Sequence, residues 1–147
     1  TGNGSMPGSQ GVKPAPAVGE ITDFGWSTTP DGLRVLLESL DQDYENMPPI
    51  MITENGCAYD DPMVDGVIDD KRRIAYLTDH LKAVSEAIAQ GVDVRGYMHW
   101  SLFDNFEWAE GYSKRFGLIH VDFETQKRTL RNSAKLYSKI IRNNGDI

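Results

Sequence analysis

Two stretches of the 147-residue sequence carry residue types that can do chemistry. Glu54 closes a short apolar run, Ile50-Met51-Ile52-Thr53, immediately before Asn55-Gly56. The C-terminal end of a parallel strand is where α/β folds hold their active sites, but Asn-Gly is also an ordinary turn that leaves its neighbour a solvated shoulder. Position alone leaves both readings open. The second stretch gathers Tyr97, Trp100, Phe103, Phe106, Trp108, Tyr112, Phe116 and Phe123, with Asp104, Asn105, Glu107 and Glu110 among them. Aromatics at strand spacing ordinarily mean core. Most of these follow a strand, in a loop with Asp-Asn and Gly-Tyr-Ser-Lys-Arg, where packing does not call for large rings beside carboxylates. Rings with neighbouring carboxylates are what a sugar site requires, because a pyranose offers apolar C–H faces and hydroxyl donors around its rim.

Other chemistries find less support. His80, His99 and His120 show no metal-ligand spacing with one another or with the single cysteine, so no metal and no cofactor is expected. His99 alternates with Trp100 and is expected on the opposite side of its strand, packed beneath a helix. Cys57 reads as a small packed residue, and no phosphate loop or nucleophile elbow surrounds Ser101. Lys plus Arg number 15 against 22 Asp plus Glu, a net charge of −7 that would repel nucleic acid and anionic membranes. No apolar run approaches the roughly 18 residues of a membrane span. With one cysteine and no basic-then-apolar stretch at its start, the sequence gives a cytoplasmic expectation.

The elements that must position these residues follow from periodicity. Residues 1–19, with five glycines and three prolines, read as a flexible lead-in or vector-derived remnant, and 20–147 as the folded part. Thr29 can cap and Pro30 can start a helix near 30–44, in which Leu33, Leu36, Leu37, Leu40 and Tyr44 recur at helical spacing. Pro48-Pro49 stops it, and residues 50–53 are expected to form a strand buried on both faces. Asp69 or Asp70 can cap a second helix carrying Ile74, Leu77, Leu81, Val84 and Ile88, ended by Gly91. A second strand is predicted over 94–102, a strand-like stretch over 118–123, and a last helix from about Leu130 to Arg142 that buries Leu136, Tyr137, Ile140 and Ile141. Alternating helices and strands imply an α/β fold with parallel strands, yet two central strands leave both edges unpaired.

Longer motifs sharpen this reading. Ile52-Thr53-Glu54-Asn55-Gly56, the run Tyr97-Met98-His99-Trp100-Ser101-Leu102-Phe103-Asp104-Asn105-Phe106-Glu107-Trp108, and Gly111-Tyr112-Ser113-Lys114-Arg115-Phe116-Gly117 strongly resemble the C-terminal part of glycoside hydrolase family 1, the β-glucosidases and β-galactosidases. Thr22-Asp23-Phe24-Gly25-Trp26 and Val121-Asp122-Phe123-Glu124-Thr125 extend the likeness. The resemblance implies a (β/α)8 TIM barrel, with strands seven and eight and their helices supplied by this chain. It implies that Glu54 is the nucleophile of a retaining β-glycosidase. By the same likeness Glu107 and Trp108 grip the sugar's outer hydroxyls, Trp100 forms the platform beneath it, and Phe116 lines the subsite. Glu107 sets the chain apart from the family's phospho-glycosidase branch, where a serine matches it, and so favours a neutral β-glucoside or β-galactoside.

The sequence departs from the family in two ways. Leu130 stands where a proline usually precedes the last helix. More important, the family's general acid/base glutamate and its N-terminal sugar-binding residues have no counterpart here. The expectation is a C-terminal fragment, inactive alone, that pairs with the missing N-terminal barrel segment or with itself; the alternative is a non-catalytic sugar-binding or assembly fragment. Replacement of Trp108 by alanine is expected to weaken sugar binding and lower stability together.

Overall fold

The chain folds as alternating helices and strands, here described from a computed structural model over residues 16–145. Most of the expected lead-in, residues 1–15, lies outside the described residues. Pro30, whose fixed φ suits a first helical turn, opens α1 (Pro30–Asp43). Thr29 occupies the N-cap position but makes no side-chain capping bond. The chain continues through β1 (Ile50–Asn55), a small hairpin of β2 (Met63–Val64) and β3 (Val67–Ile68), α2 (Lys71–Ala89), β4 (Val94–His99), a second hairpin of β5 (Ile119–Val121) and β6 (Arg128–Leu130), and α3 (Asn132–Arg142). β1 and β4 pair in parallel across the α2 crossover, as the predicted alternation requires.

Leu37, Val84, Ala87 and Val92 form a buried cluster, with Leu33, Ile50, Ile52, Val94 and Tyr97 packed against it. The helices thus cover one face of the β1–β4 pair. The other face is open: Met51 is 49% and Met98 50% exposed, so β1 is not buried on both faces as expected. The helix stripes also differ in detail. α2 buries Arg73, Leu77, His80, Ala83, Val84 and Ala87, while Ile88 is exposed; α3 buries Ile140 but exposes Ile141, and on α1 Leu36 and Tyr44 are exposed.

Two boundaries move for identifiable reasons. Leu130 pairs with Ile119 in the second hairpin, so α3 starts only at Asn132, and the second strand ends at His99 rather than 102. Asp70 does stand at the N-cap of α2, but its buried carboxylate serves α3 instead, accepting from the amides of Asn132 (2.9 Å) and Ser133 (3.2 Å). One aspartate thereby ties the starts of two helices together, and it satisfies N–H groups that have no partner within α3.

Candidate functional site

The C-terminal ends of β1 and β4 open into a cleft of about 460 Å³ lined by Trp26, Glu54, Asn55, Gly56, Tyr76, Trp100, Glu107, Trp108 and Phe116. All five site residues expected from the sequence therefore meet in one place. Glu54 reaches the cleft through an irregularity in the strand register. Ile52 pairs with Tyr97 and Asn55 with His99, so three steps along β1 match two along β4. An extra residue in one strand breaks the usual alternation and re-aims the side chains that follow. Thr53 and Glu54 are consequently exposed in succession, and Asn55 turns back toward Tyr97, whose hydroxyl donates to its Oδ1 at 2.7 Å.

The two strand ends are drawn together at the cleft floor. Trp100 N–H donates to the Asn55 carbonyl at 3.0 Å. A Cβ on Gly56 would collide with the Trp100 carbonyl, so only glycine allows this approach. Beyond Trp100 the chain bonds to the 116–118 segment, Ser101 N–H to the Phe116 carbonyl (3.3 Å) and Leu118 N–H to the Ser101 carbonyl (2.8 Å). Phe116 is only 1% exposed and packs against Phe24 (5.7 Å between ring centroids) and Trp26 (6.0 Å). Glu107 and Trp108 come from a tight loop closed by Glu107 N–H to the Gly111 carbonyl at 2.6 Å. Trp108 has φ 42°, a left-handed conformation costly for a bulky residue, and holds its indole 83% exposed. Strain of this kind recurs at ligand sites. High exposure bears on one sequence expectation: Trp108 has little packing to lose, so its truncation is expected to cost little stability.

Beneath the loops lies a buried ionic layer that sequence periodicity did not reveal. Arg73 donates to the carbonyls of Cys57 (2.5 Å), Tyr59 (2.9 Å), Arg115 (3.0 Å) and Phe116 (3.3 Å), and pairs with Asp61 at 3.0 Å. Arg131 pairs with Asp104 (3.1 Å) and donates to the Gly117 carbonyl (2.6 Å). Asp104 also accepts from Arg115 (3.2 Å) and from the amides of Gly117 and Val121. With Asp70, three arginines face three aspartates, which compensates charges whose burial unpaired would be prohibitive. This layer fastens the loop after β1 to the loop carrying Phe116.

A further strap, residues 20–28, is clasped to the rim. Arg72 bonds Glu20 (2.6 Å) and Asp23 (3.1 Å), and the Lys114 ammonium donates to the Asp23 carbonyl at 2.7 Å. This fixes Trp26, half-exposed in the cleft. Trp26 and Tyr76 had no assigned role from sequence, since one lies far upstream and the other on α2. Only the wording Thr22-Asp23-Phe24-Gly25-Trp26 hinted at the first.

The remaining titratable groups are packed rather than poised. Burial pushes the Cys57 thiol up to about 12, away from reactivity. Burial, with the nearby Arg73 charge, holds the His99 imidazole down to about 3, against Tyr137 of α3, which fits its expected place beneath a helix.

An acidic side chain at a strand's C-terminal end, in one cleft with tryptophans and a second carboxylate, stands where α/β folds hold their active sites. The chain belongs to glycosyl hydrolase family 1, whose model matches residues 6–146. It is 48% identical over 125 residues to beta-glucosidase A of Thermotoga maritima, covering 84% of this chain and 28% of that protein. Among solved structures it is similar to a β-glucosidase from Thermotoga maritima in complex with deoxynojirimycin (TM-score 0.87, 44% identity, covering 90% of this chain and 30% of that one). It is also similar to a psychrophilic β-glucosidase from Micrococcus antarcticus (TM-score 0.84, 52% identity, 90% and 28%). The chain thus spans under a third of the length of these relatives.

Proposed function

We propose that this chain is the nucleophile-bearing segment of a retaining β-glycosidase of the β-glucosidase type, which hydrolyses O-glycosides of neutral hexoses and is inactive alone. The observation that carries this reading is Glu54 at the end of β1, in one cleft with Trp100, Glu107, Trp108 and Phe116. β1 and β4 act as strands seven and eight of a (β/α)8 barrel. Glu54 attacks the anomeric carbon as the bond to the aglycone oxygen breaks, giving a glycosyl-enzyme that water then opens with overall retention. Glu107 accepts hydrogen bonds from sugar hydroxyls, and the faces of Trp100 and Trp108 receive the ring's C–H groups. The leaving oxygen takes its proton from a carboxylic acid in the complementary barrel segment.

The open face of β1 and β4, with Met51 and Met98 exposed, supports an assembly role as well: this is the surface on which the complementary segment closes. The test is hydrolysis of an activated aryl β-glucoside by this chain alone and by this chain co-expressed with the N-terminal portion of a relative such as the Thermotoga maritima enzyme. Turnover only in the second case, with the first-formed sugar in the β configuration by NMR, is the expected result. Inverted product, or equal turnover by the chain alone, contradicts it.

A further inference from the structure

The register irregularity in β1 leaves a question that catalysis depends on: what keeps Glu54 turned into the cleft when the strand's regular alternation would turn it toward the helices. A bulge is held only where its side chains are tied down. Here the ties converge on Asn55. Its Oδ1 accepts from Tyr97 Oη at 2.7 Å, and its Nδ2 donates to Tyr76 Oη at a longer 3.4 Å. Tyr97 is itself held, since Tyr137 Oη donates to the Tyr97 carbonyl at 3.0 Å, and Tyr76 stacks on His80 with ring centroids 3.8 Å apart. Both phenols are buried enough that their ionisation is pushed well above the ordinary tyrosine range, so they stay protonated, Tyr97 as the donor to Asn55 and Tyr76 as the acceptor from it. One carboxamide therefore connects β1 to β4, α2 and, through Tyr97, α3.

We propose that Asn55 is a positioning residue: its carboxamide, gripped by Tyr97 and Tyr76, holds the bulge that turns Glu54 into the cleft. The proposal rests on the reading of Glu54 as nucleophile. It accounts for why Asn55, which by type and position is a mere turn residue, is half-buried with both ends of its amide engaged. The Tyr97 bond is the shorter and near ideal, so it carries most of the effect.

The test uses the co-expressed enzyme and kinetic constants per active site, counted by the burst of released phenol. Tyr97→Phe keeps the ring and removes one hydrogen bond, and is expected to lower kcat about tenfold while KM stays within about twofold. Tyr76→Phe should do the same more weakly. Asn55→Ala should lose more, and the double variant Tyr97→Phe/Asn55→Ala should lose no more than Asn55→Ala alone. Unchanged kcat in Tyr97→Phe, or losses that multiply in the double variant, overturns the proposal. A second measurement needs no activity: in the chain alone, followed by ¹⁵N NMR, the Asn55 side-chain amide proton bonded to Tyr76 Oη should exchange slowly and become fast in Tyr76→Phe. Fast exchange in the unaltered chain refutes the clamp. If Glu54→Gln retains turnover, the reading of Glu54 fails, while the NMR result still decides whether the clamp exists.

Discussion

The loops above the strands and the open face of the strands themselves are built on opposite terms. In the loops, Arg73, Arg115 and Arg131 find Asp61, Asp70 and Asp104, and the carbonyls of residues 57, 59, 115, 116 and 117 find guanidinium donors. On the open face, Met51 and Met98 face no covering side chain among the described residues, and β1 and β4 pair only with each other. The difference teaches that the cleft wall is locally complete while the two-stranded β1–β4 sheet is covered on one face alone. A segment with its own ionic framework can hold Glu54, Trp100 and Glu107 in place without further strands.

The largest break in this contrast is chemical. Glu54→Gln keeps the shape of the completed wall and removes the proposed nucleophile, so turnover of the co-expressed enzyme should fall by roughly three orders of magnitude or more with urea denaturation unchanged. Next comes the framework itself. Arg73→Met removes the buried cation nearest Asp61 (3.0 Å) and Asp70 (3.8 Å), leaving Asp61 with Arg131 at 3.6 Å, and should cost about 3–5 kcal/mol in urea denaturation. A loss under about 1 kcal/mol would mean that the layer is not what holds the loops.

Acid provides a smaller, graded probe. The unfolded His99 imidazole gains its proton near the ordinary value of 6.5, the folded one only near about 3, so acid favours the unfolded chain between those values. Stability is whole above pH 6.5 and falls as pH drops toward 3. His80 and His120 are also held down by burial and act in the same direction. From pH 6.5 to 5 the loss from His99 alone should be about 2 kcal/mol, and His99→Leu should flatten the decline measured by urea midpoints. The smallest expected effect on stability is that of Trp108→Ala: under about 0.5 kcal/mol, because the indole is 83% exposed, with KM raised roughly tenfold. A large stability loss would instead make Trp108 part of the framework.

Much of the site was legible because its residues stand in contiguous words. Glu54, Trp100, Glu107, Trp108 and Phe116 could be named from two short stretches of sequence, and all five line the cleft. The α/β alternation was legible for the same reason that periodicity works: α1 and α2 each bury one stripe. The ionic layer was not, because Arg73 and Arg131 are charged residues at helix starts and only their long-range partners, as distant as Asp61 is from Arg131, make them core. The strand-like stretch over 118–123 is β5, but its partner β6 and the β2–β3 hairpin were missed because strands of two or three residues are too short to alternate. The engagement of Asn55 was not legible because its partners, Tyr76 and Tyr97, lie 21 and 42 residues further on.

The most direct test of the central claim is to find where the sugar attaches. The co-expressed enzyme would be treated with an aryl 2-deoxy-2-fluoro-β-glucoside, whose fluorine slows release of the glycosyl-enzyme, then digested and read by tandem mass spectrometry. The account predicts a fluoroglucosyl ester on the peptide containing Glu54, and none on Glu107 or Glu110. A label on either of those residues, or continued turnover with Glu54 unmodified, would contradict it.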